Sequence, residues 1–81
     1  MRIQVWSGRF DDRIADFDVM EKPTKEICER IQNEIDEEIE DLEAEQEWEF
    51  DVDEYWNICY QVVNRHLTII DNPVVWAIYT R

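Results

Sequence analysis

Carboxylates are the residues of this chain whose type and spacing could do chemistry, and most of them lie in one stretch. Residues 34–54 hold thirteen acids in twenty-one positions without one Lys or Arg. Removing these thirteen from the chain's 21 acids leaves 8, the same as its number of Lys and Arg, so the net charge of −13 arises here. Like charges this dense destabilise a helix and are rare in strands. The stretch therefore points to a partner of opposite charge.

Carboxylate pairs can also bind hard cations. Asp16 with Asp18, Asp51 with Asp53, or Glu34 with Glu38 could supply oxygen ligands to calcium or magnesium. An EF-hand loop also needs a central glycine and a glutamate at its twelfth position, which these pairs lack. We therefore predict no dedicated metal site and no cofactor.

Nucleophilic catalysis would require Ser7, Cys28 or Cys59 to meet His66, the one histidine. The chain has no glycine-rich phosphate loop, no HExxH motif and no nucleophile elbow. His66 suits the end of a helix, where its charged form matches the dipole. The cysteines have no CxxC spacing and suit a reducing cytosol as small buried hydrophobes, with a disulfide as the alternative. We predict that the protein is not an enzyme.

Length and composition predict one folded domain over residues 1–81. The chain is 44% hydrophobic with four Trp, whereas disordered acidic tails are poor in aromatic residues. No signal peptide and no membrane-spanning run is recognisable, which favours a cytoplasmic protein. A pI of about 4.2 implies repulsion from nucleic acids and anionic membranes, so we expect a basic partner.

The first half of the chain predicts a hairpin followed by a long helix. Residues 2–6 and 14–19 alternate in polarity like strands on either side of a short polar loop. Thr24 is a good N-cap for a helix of about twenty residues. Its apolar stripe is Ile27, Ile31, Ile35, Ile39 and Leu42. The acids crowd its C-terminal half, against the helix dipole, which favours a functional reason for their placement.

The second half is predicted as a strand, a helix and one or two further strands. Residues 47–53 alternate, with Trp48, Phe50 and Val52 expected in the core and an outer row of acids. Residues 53–65 carry a polar stripe of helical period and a capping box from Asp51 to Glu54, although their hydrophobic residues also alternate like a strand. Residues 67–70 and 74–79 form either a terminal hairpin or one long strand after a short one. The predicted fold is α+β: one mainly antiparallel sheet of about four strands, one long acidic helix and a second helix.

A helix and a strand that each carry a carboxylate row could imitate nucleic-acid phosphates. Carboxylates repeat at about 4.5 to 6 Å along a helix and at about 6.5 Å along one face of a strand, a scale similar to that of duplex phosphates. Lys and Arg of a DNA-binding protein would pair with them. Tyr55 or an exposed Trp beside them could act as an aromatic anchor. The predicted partner-binding residues are Glu34, Glu37, Glu38, Glu40, Asp41, Glu43, Glu45, Glu47, Glu49, Asp51, Asp53, Glu54 and Tyr55.

In size, charge, lack of catalytic motifs and the clustering of acids in residues 34–54, the chain resembles small acidic proteins that bacteriophages encode against host defence. This class includes anti-CRISPR and anti-restriction DNA mimics. The resemblance implies a CRISPR effector or a restriction enzyme as target, with its DNA-binding cleft facing the acidic helix.

Three other readings use the same residues. A small acidic interaction module or homodimeric adaptor would bind a basic protein through its aromatic strands, with the acids increasing association speed and solubility. A halophilic protein would be acidic all round, whereas this charge is confined to one stretch. A small metal or acid-base enzyme lacks a positive signal. Nucleic-acid mimicry is the preferred hypothesis and the interaction module is its alternative.

Overall fold

Two antiparallel strands and two helices make up residues 1–70, the part of the chain that the computed structural model describes. Their order is β1 (Arg2–Ser7), β2 (Asp12–Asp18), α1 (Lys25–Gln46) and α2 (Val52–His66). α2 packs against both β2 and α1. The predicted α+β class is therefore confirmed.

The N-terminal hairpin follows its polarity pattern. β1 and β2 pair so that Ile3 lies opposite Phe17 and Val5 opposite Ala15, with an irregularity between Val5 and Trp6. Ile3, Ala15 and Phe17 are buried because alternation sends every second side chain to the helical side. The other face is exposed to solvent and carries Arg2, whose guanidinium lies 3.3 Å from Asp16 and 3.1 Å from Asp18.

Helix α1 begins where its sequence predicts and buries a narrow stripe. The Thr24 hydroxyl accepts a hydrogen bond of 3.2 Å from the Ile27 amide, which caps the first turn. Ile31, Ile35 and Ile39 are buried, whereas Leu42 is 37% exposed near the end of the helix. The last turn contains no basic residue, so the acids there do oppose the helix dipole.

The strand predicted for residues 47–53 is wrong. Glu47 takes a left-handed conformation, with φ 67°, and its amide donates to the Glu43 carbonyl, which ends α1. Asp51 already caps α2, since its side chain accepts from the Glu54 amide at 2.8 Å. The alternation is lost because helix-capping hydrogen bonds at both ends set the backbone path. Of the three residues expected in the core, only Phe50 is buried.

Helix α2 agrees with the predicted helix over residues 53–65, and its strand alternative is excluded. Its buried side chains, which complete the core against β2 and α1, are Tyr55, Ile58, Cys59, Val62 and Val63. The helix dipole is matched at both ends. The first turn contains acids, and the last turn contains Arg65 and His66. One of the two hydrogen bonds of the predicted capping box is present: the Glu54 amide donates to the Asp51 side chain.

The chain after α2 returns to the sheet. Ile69 forms an antiparallel bridge with Val19, and the Ile70 amide donates to the Asp18 carbonyl at 2.8 Å. The predicted strand over residues 74–79 lies outside the described residues. Within residues 1–70 the sheet has two strands, so the four-stranded sheet stays a prediction. Neither described helix combines the length and the hydropathy that a bilayer crossing requires.

Candidate partner-binding surface

The exposed acids of α1 form a ridge along the outer side of its C-terminal half. We define the acidic ridge as Glu37, Glu40, Asp41 and Glu45, all of them exposed. At 3.6 residues per turn, Glu37 and Asp41 lie on the side of α1 away from the buried Ile35 and Ile39, and Glu40 and Glu45 lie on its two flanks. The burial of the isoleucines fixes the helix on the core. Among residues 1–70, none of the four ridge residues forms an ion pair. Within the described residues, no ion pair neutralises their charge.

Three other predicted partner-binding acids on α1 instead make contacts within the protein. Glu34 lies 2.9 Å from the Nε2 atom of His66, and Glu38 pairs with Arg65, so both contact the last turn of α2. Glu43 pairs with Arg9 in the hairpin turn. These three carboxylates connect α1 to its neighbours. We therefore exclude them from the acidic ridge.

The most developed of these internal contacts is centred on Glu43. Two parallel hydrogen bonds, of 2.6 and 2.8 Å, run from the Arg9 guanidinium to its two oxygens, and the Phe50 amide donates to Oε2 at 2.7 Å. The Arg9 hydrogen bonds and then the Phe50 amide hold the pKa of Glu43 below its usual value. The same pair raises the pKa of Arg9. Glu43 thus ties the hairpin turn, α1 and the α1–α2 loop together.

The acids of the loop and of the start of α2 form a second exposed group. Glu47, Glu49, Asp51 and Asp53 are exposed, and Glu54 is half-buried. Asp51 caps α2, while Asp53 and Glu54 lie in its first turn, where the helix dipole favours negative charge. The acids that the sequence predicted as a row on a strand are Glu47, Glu49, Asp51 and Asp53. Its members lie on a tight loop and a helix end rather than on an extended line.

Of the two options for an aromatic anchor, Tyr55 is buried, whereas an exposed Trp beside the carboxylates is present. Tyr55 is only 8% exposed, packs edge-to-face on Phe10 with ring centroids 5.8 Å apart, and hydrogen-bonds to Ser7. Burial raises the pKa of its phenol. Trp48, expected in the core, is 61% exposed. The sequence signal for the exposure of Trp48 is the capping box from Asp51 to Glu54. A helix that begins after Asp51 leaves Trp48 in the linker that precedes it.

His66 contacts Glu34 at 2.9 Å, and within residues 1–70 no hydrogen bond joins it to the candidate nucleophiles Ser7, Cys28 and Cys59. Cys28 and Cys59 are both free, with Cys28 exposed and Cys59 fully buried. Desolvation raises the pKa of the Cys59 thiol to about 12, which makes it a poor nucleophile. Within residues 1–70, no three His, Cys, Asp or Glu side chains are grouped closely enough to hold a metal ion.

Comparison of the chain with protein-family models, with curated proteins and with solved structures finds no match. Functional inference therefore depends on the surface itself.

Proposed function

We propose that this protein is a non-enzymatic inhibitor that covers the nucleic-acid-binding surface of a basic protein with its acidic ridge. The observation that carries the proposal is the ridge: four exposed carboxylates without an ion-pair partner in the described residues, on a helix anchored by buried isoleucines. Carboxylates needed for internal contacts are separate from it. Within residues 1–70, no ion pair gives the ridge acids a stabilising role.

The geometry of the ridge supports mimicry of a phosphate row. Relative to Glu37, the other ridge residues are three, four and eight positions later, which corresponds to about 4.5, 6 and 12 Å along the helix axis. Because α1 is packed on the core, little backbone conformational entropy is lost in presenting these charges. Lys and Arg side chains that bind phosphates can form charge-assisted hydrogen bonds with carboxylates at this spacing.

The target class follows from the resemblance to phage anti-defence proteins. We propose a CRISPR effector or a restriction enzyme, met in the bacterial cytoplasm, where the net charge of −13 would speed association with a basic cleft. Inhibition would occur by occupancy, without turnover and without direct nucleic-acid binding. A homodimer is compatible with this mechanism but is not required by it.

The test is DNA displacement from purified effectors of these two classes, measured by fluorescence anisotropy of labelled DNA. The double variant Glu37→Gln/Glu40→Gln should raise the inhibitory concentration at least about tenfold, and added salt should weaken the wild type steeply.

The helix provides a matched control in Glu26→Gln/Glu29→Gln. These residues have the same spacing and lie eleven positions earlier, about three turns, so they occupy the same face. They are already close to Arg30 and Lys25, at 3.5 and 4.0 Å. The control should inhibit nearly like the wild type. Equal potency of the two double variants would refute ridge-based mimicry.

An acidic interaction module remains the alternative, and one observation favours it. Trp6 on β1 is 66% exposed and lies opposite Arg13. A module that binds through this strand would lose affinity on Trp6→Ala, with little salt dependence, and would tolerate Glu37→Gln/Glu40→Gln.

A further inference from the structure

Trp48 is a large apolar side chain displayed among carboxylates. It is 61% exposed, in the loop between α1 and α2. Every second residue around it is acidic, and the exposed ones are Glu45, Glu47, Glu49, Asp51 and Asp53. Trp48 takes no part in the aromatic pairs that residues 1–70 form.

The loop that carries Trp48 is fixed at both ends. Glu47 before it terminates α1 through its hydrogen bond to the Glu43 carbonyl, and Phe50 after it is buried with its amide on the Glu43 carboxylate. The Gln46 side chain donates to the carbonyl of Trp48 itself at 3.2 Å. The backbone therefore presents the indole outward in a defined position.

We propose that Trp48 is the docking point for an arginine side chain of the basic partner, an inference that rests on the proposed function of the acidic surface. An indole face attracts cations more strongly than other aromatic rings do. An apolar partner would desolvate the surrounding carboxylates without pairing them, at a cost that a guanidinium avoids. Arginine is preferred over lysine because its planar group stacks on the ring and still donates hydrogen bonds sideways.

Trp6 provides the matched control for this proposal. It is as exposed as Trp48, at 66%, but its cross-strand neighbour is Arg13, and no acid adjoins it in sequence. By strand register its nearest acids are Asp12 and Asp16, and Arg13 beside it already pairs with Asp16 at 3.5 Å, so an incoming guanidinium meets a basic side chain there. Substitution of either Trp by Ala removes a similar exposed surface, so only the surroundings differ.

The experiment is calorimetric titration of the full chain with a hexa-arginine peptide and a hexa-lysine peptide at low salt. Trp48→Ala should weaken hexa-arginine binding by roughly two- to thirty-fold. It should also reduce the ratio of the affinity for hexa-arginine to the affinity for hexa-lysine. Trp48→Phe should be intermediate, and Trp6→Ala should match the wild type. Circular dichroism of each variant confirms that the fold is kept.

The outcomes separate this inference from the proposed function. Wild-type affinity in Trp48→Ala, or an equal loss in Trp6→Ala, overturns the docking point, and equal losses for both peptides overturn the preference for arginine. If the docking point is rejected but Glu37→Gln/Glu40→Gln still weakens DNA displacement as expected, the proposed function stands. Conversely, if Trp48→Ala weakens hexa-arginine binding as expected while Glu37→Gln/Glu40→Gln inhibits like the wild type, that result retains the docking point and rejects mimicry.

Discussion

Glu43 and Arg9, thirty-four positions apart in sequence, meet in a two-point hydrogen-bonded pair between the end of α1 and the hairpin turn. The Glu43 side chain is 15% exposed and also receives the Phe50 amide. One carboxylate from the acidic stretch thus positions both the hairpin and the loop that carries Trp48. The acidic stretch therefore contains a carboxylate with a structural role beside the exposed acids of the ridge, and substitutions can test the two separately.

Glu43→Gln should lower stability at neutral pH without removing a ridge charge. Because the pKa of Glu43 is lowered in the folded protein, its contribution is present above the unfolded-state pKa and is lost as pH falls through the folded value. Urea midpoints of wild type and variant should therefore differ at pH 7 and converge toward pH 3. Glu37→Gln, measured alongside, should not lower the midpoint at pH 7. A difference between Glu43→Gln and wild type that persists at pH 3 would contradict the assignment.

Glu45→Lys should increase stability and weaken partner binding together. The last turn of α1 has no basic residue, so a Lys there would favour the dipole and attract Asp41 four positions earlier. We expect a gain of about 0.3 to 1 kcal/mol at low salt, measured by urea denaturation, which shrinks as salt is added. The same variant should displace DNA less well from the target. A loss of stability would mean that Glu45 has an internal role.

Glu47→Gly should stabilise the protein, because Glu47 holds a left-handed conformation that glycine adopts without a Cβ penalty. The expected gain is up to about 1 kcal/mol in the free energy of unfolding. Glu47→Ala is the control, since it removes the same charge but keeps the Cβ. If both variants gained equally, relief of charge repulsion rather than backbone strain would be the cause.

Ile35→Ala and Leu42→Ala should differ strongly although both residues belong to the same apolar stripe. Ile35 is 3% exposed, so the variant leaves a cavity and should cost about 2 to 5 kcal/mol. Leu42 is 37% exposed, and its loss should cost less than about 1 kcal/mol. Thermal or urea unfolding measures both values. Similar losses would place the end of α1 deeper in the core than the structure does.

Sequence periodicity predicted the long elements well, because a helical stripe repeated over several turns has no competing interpretation. Ile31, Ile35 and Ile39 are buried as expected, and Thr24 caps α1. The seven alternating residues 47–53 were too few to outweigh two helix caps. The Glu43 carboxylate that accepts from the Phe50 amide also pairs with Arg9, a contact that the local sequence pattern does not reveal.

The sequence predicts which stretch is rich in acids but not which of those acids are exposed and which pair with a neighbour. Charge density alone identified residues 34–54, yet it could not separate Glu37 from Glu38, which are adjacent in sequence. Glu37 is exposed on the ridge, whereas Glu38 contacts Arg65 of α2. That distinction depends on how the two helices face each other. The exposure of Trp48 is also not evident from the local pattern, because it depends on where α1 ends and α2 begins.

The unequal burial of the two cysteines makes the wild-type chain suitable for labelling at a single position. Cys28 is exposed on the N-terminal half of α1, while Cys59 is enclosed and its pKa is raised to about 12, so a maleimide dye should react at Cys28 alone. Cys28 precedes Glu37 by nine residues, about 13.5 Å along the helix. Nine residues are about two and a half turns, so a fluorophore there would lie on the opposite side of α1 from Glu37 and would leave the acidic ridge intact. It could report the approach of a partner by energy transfer.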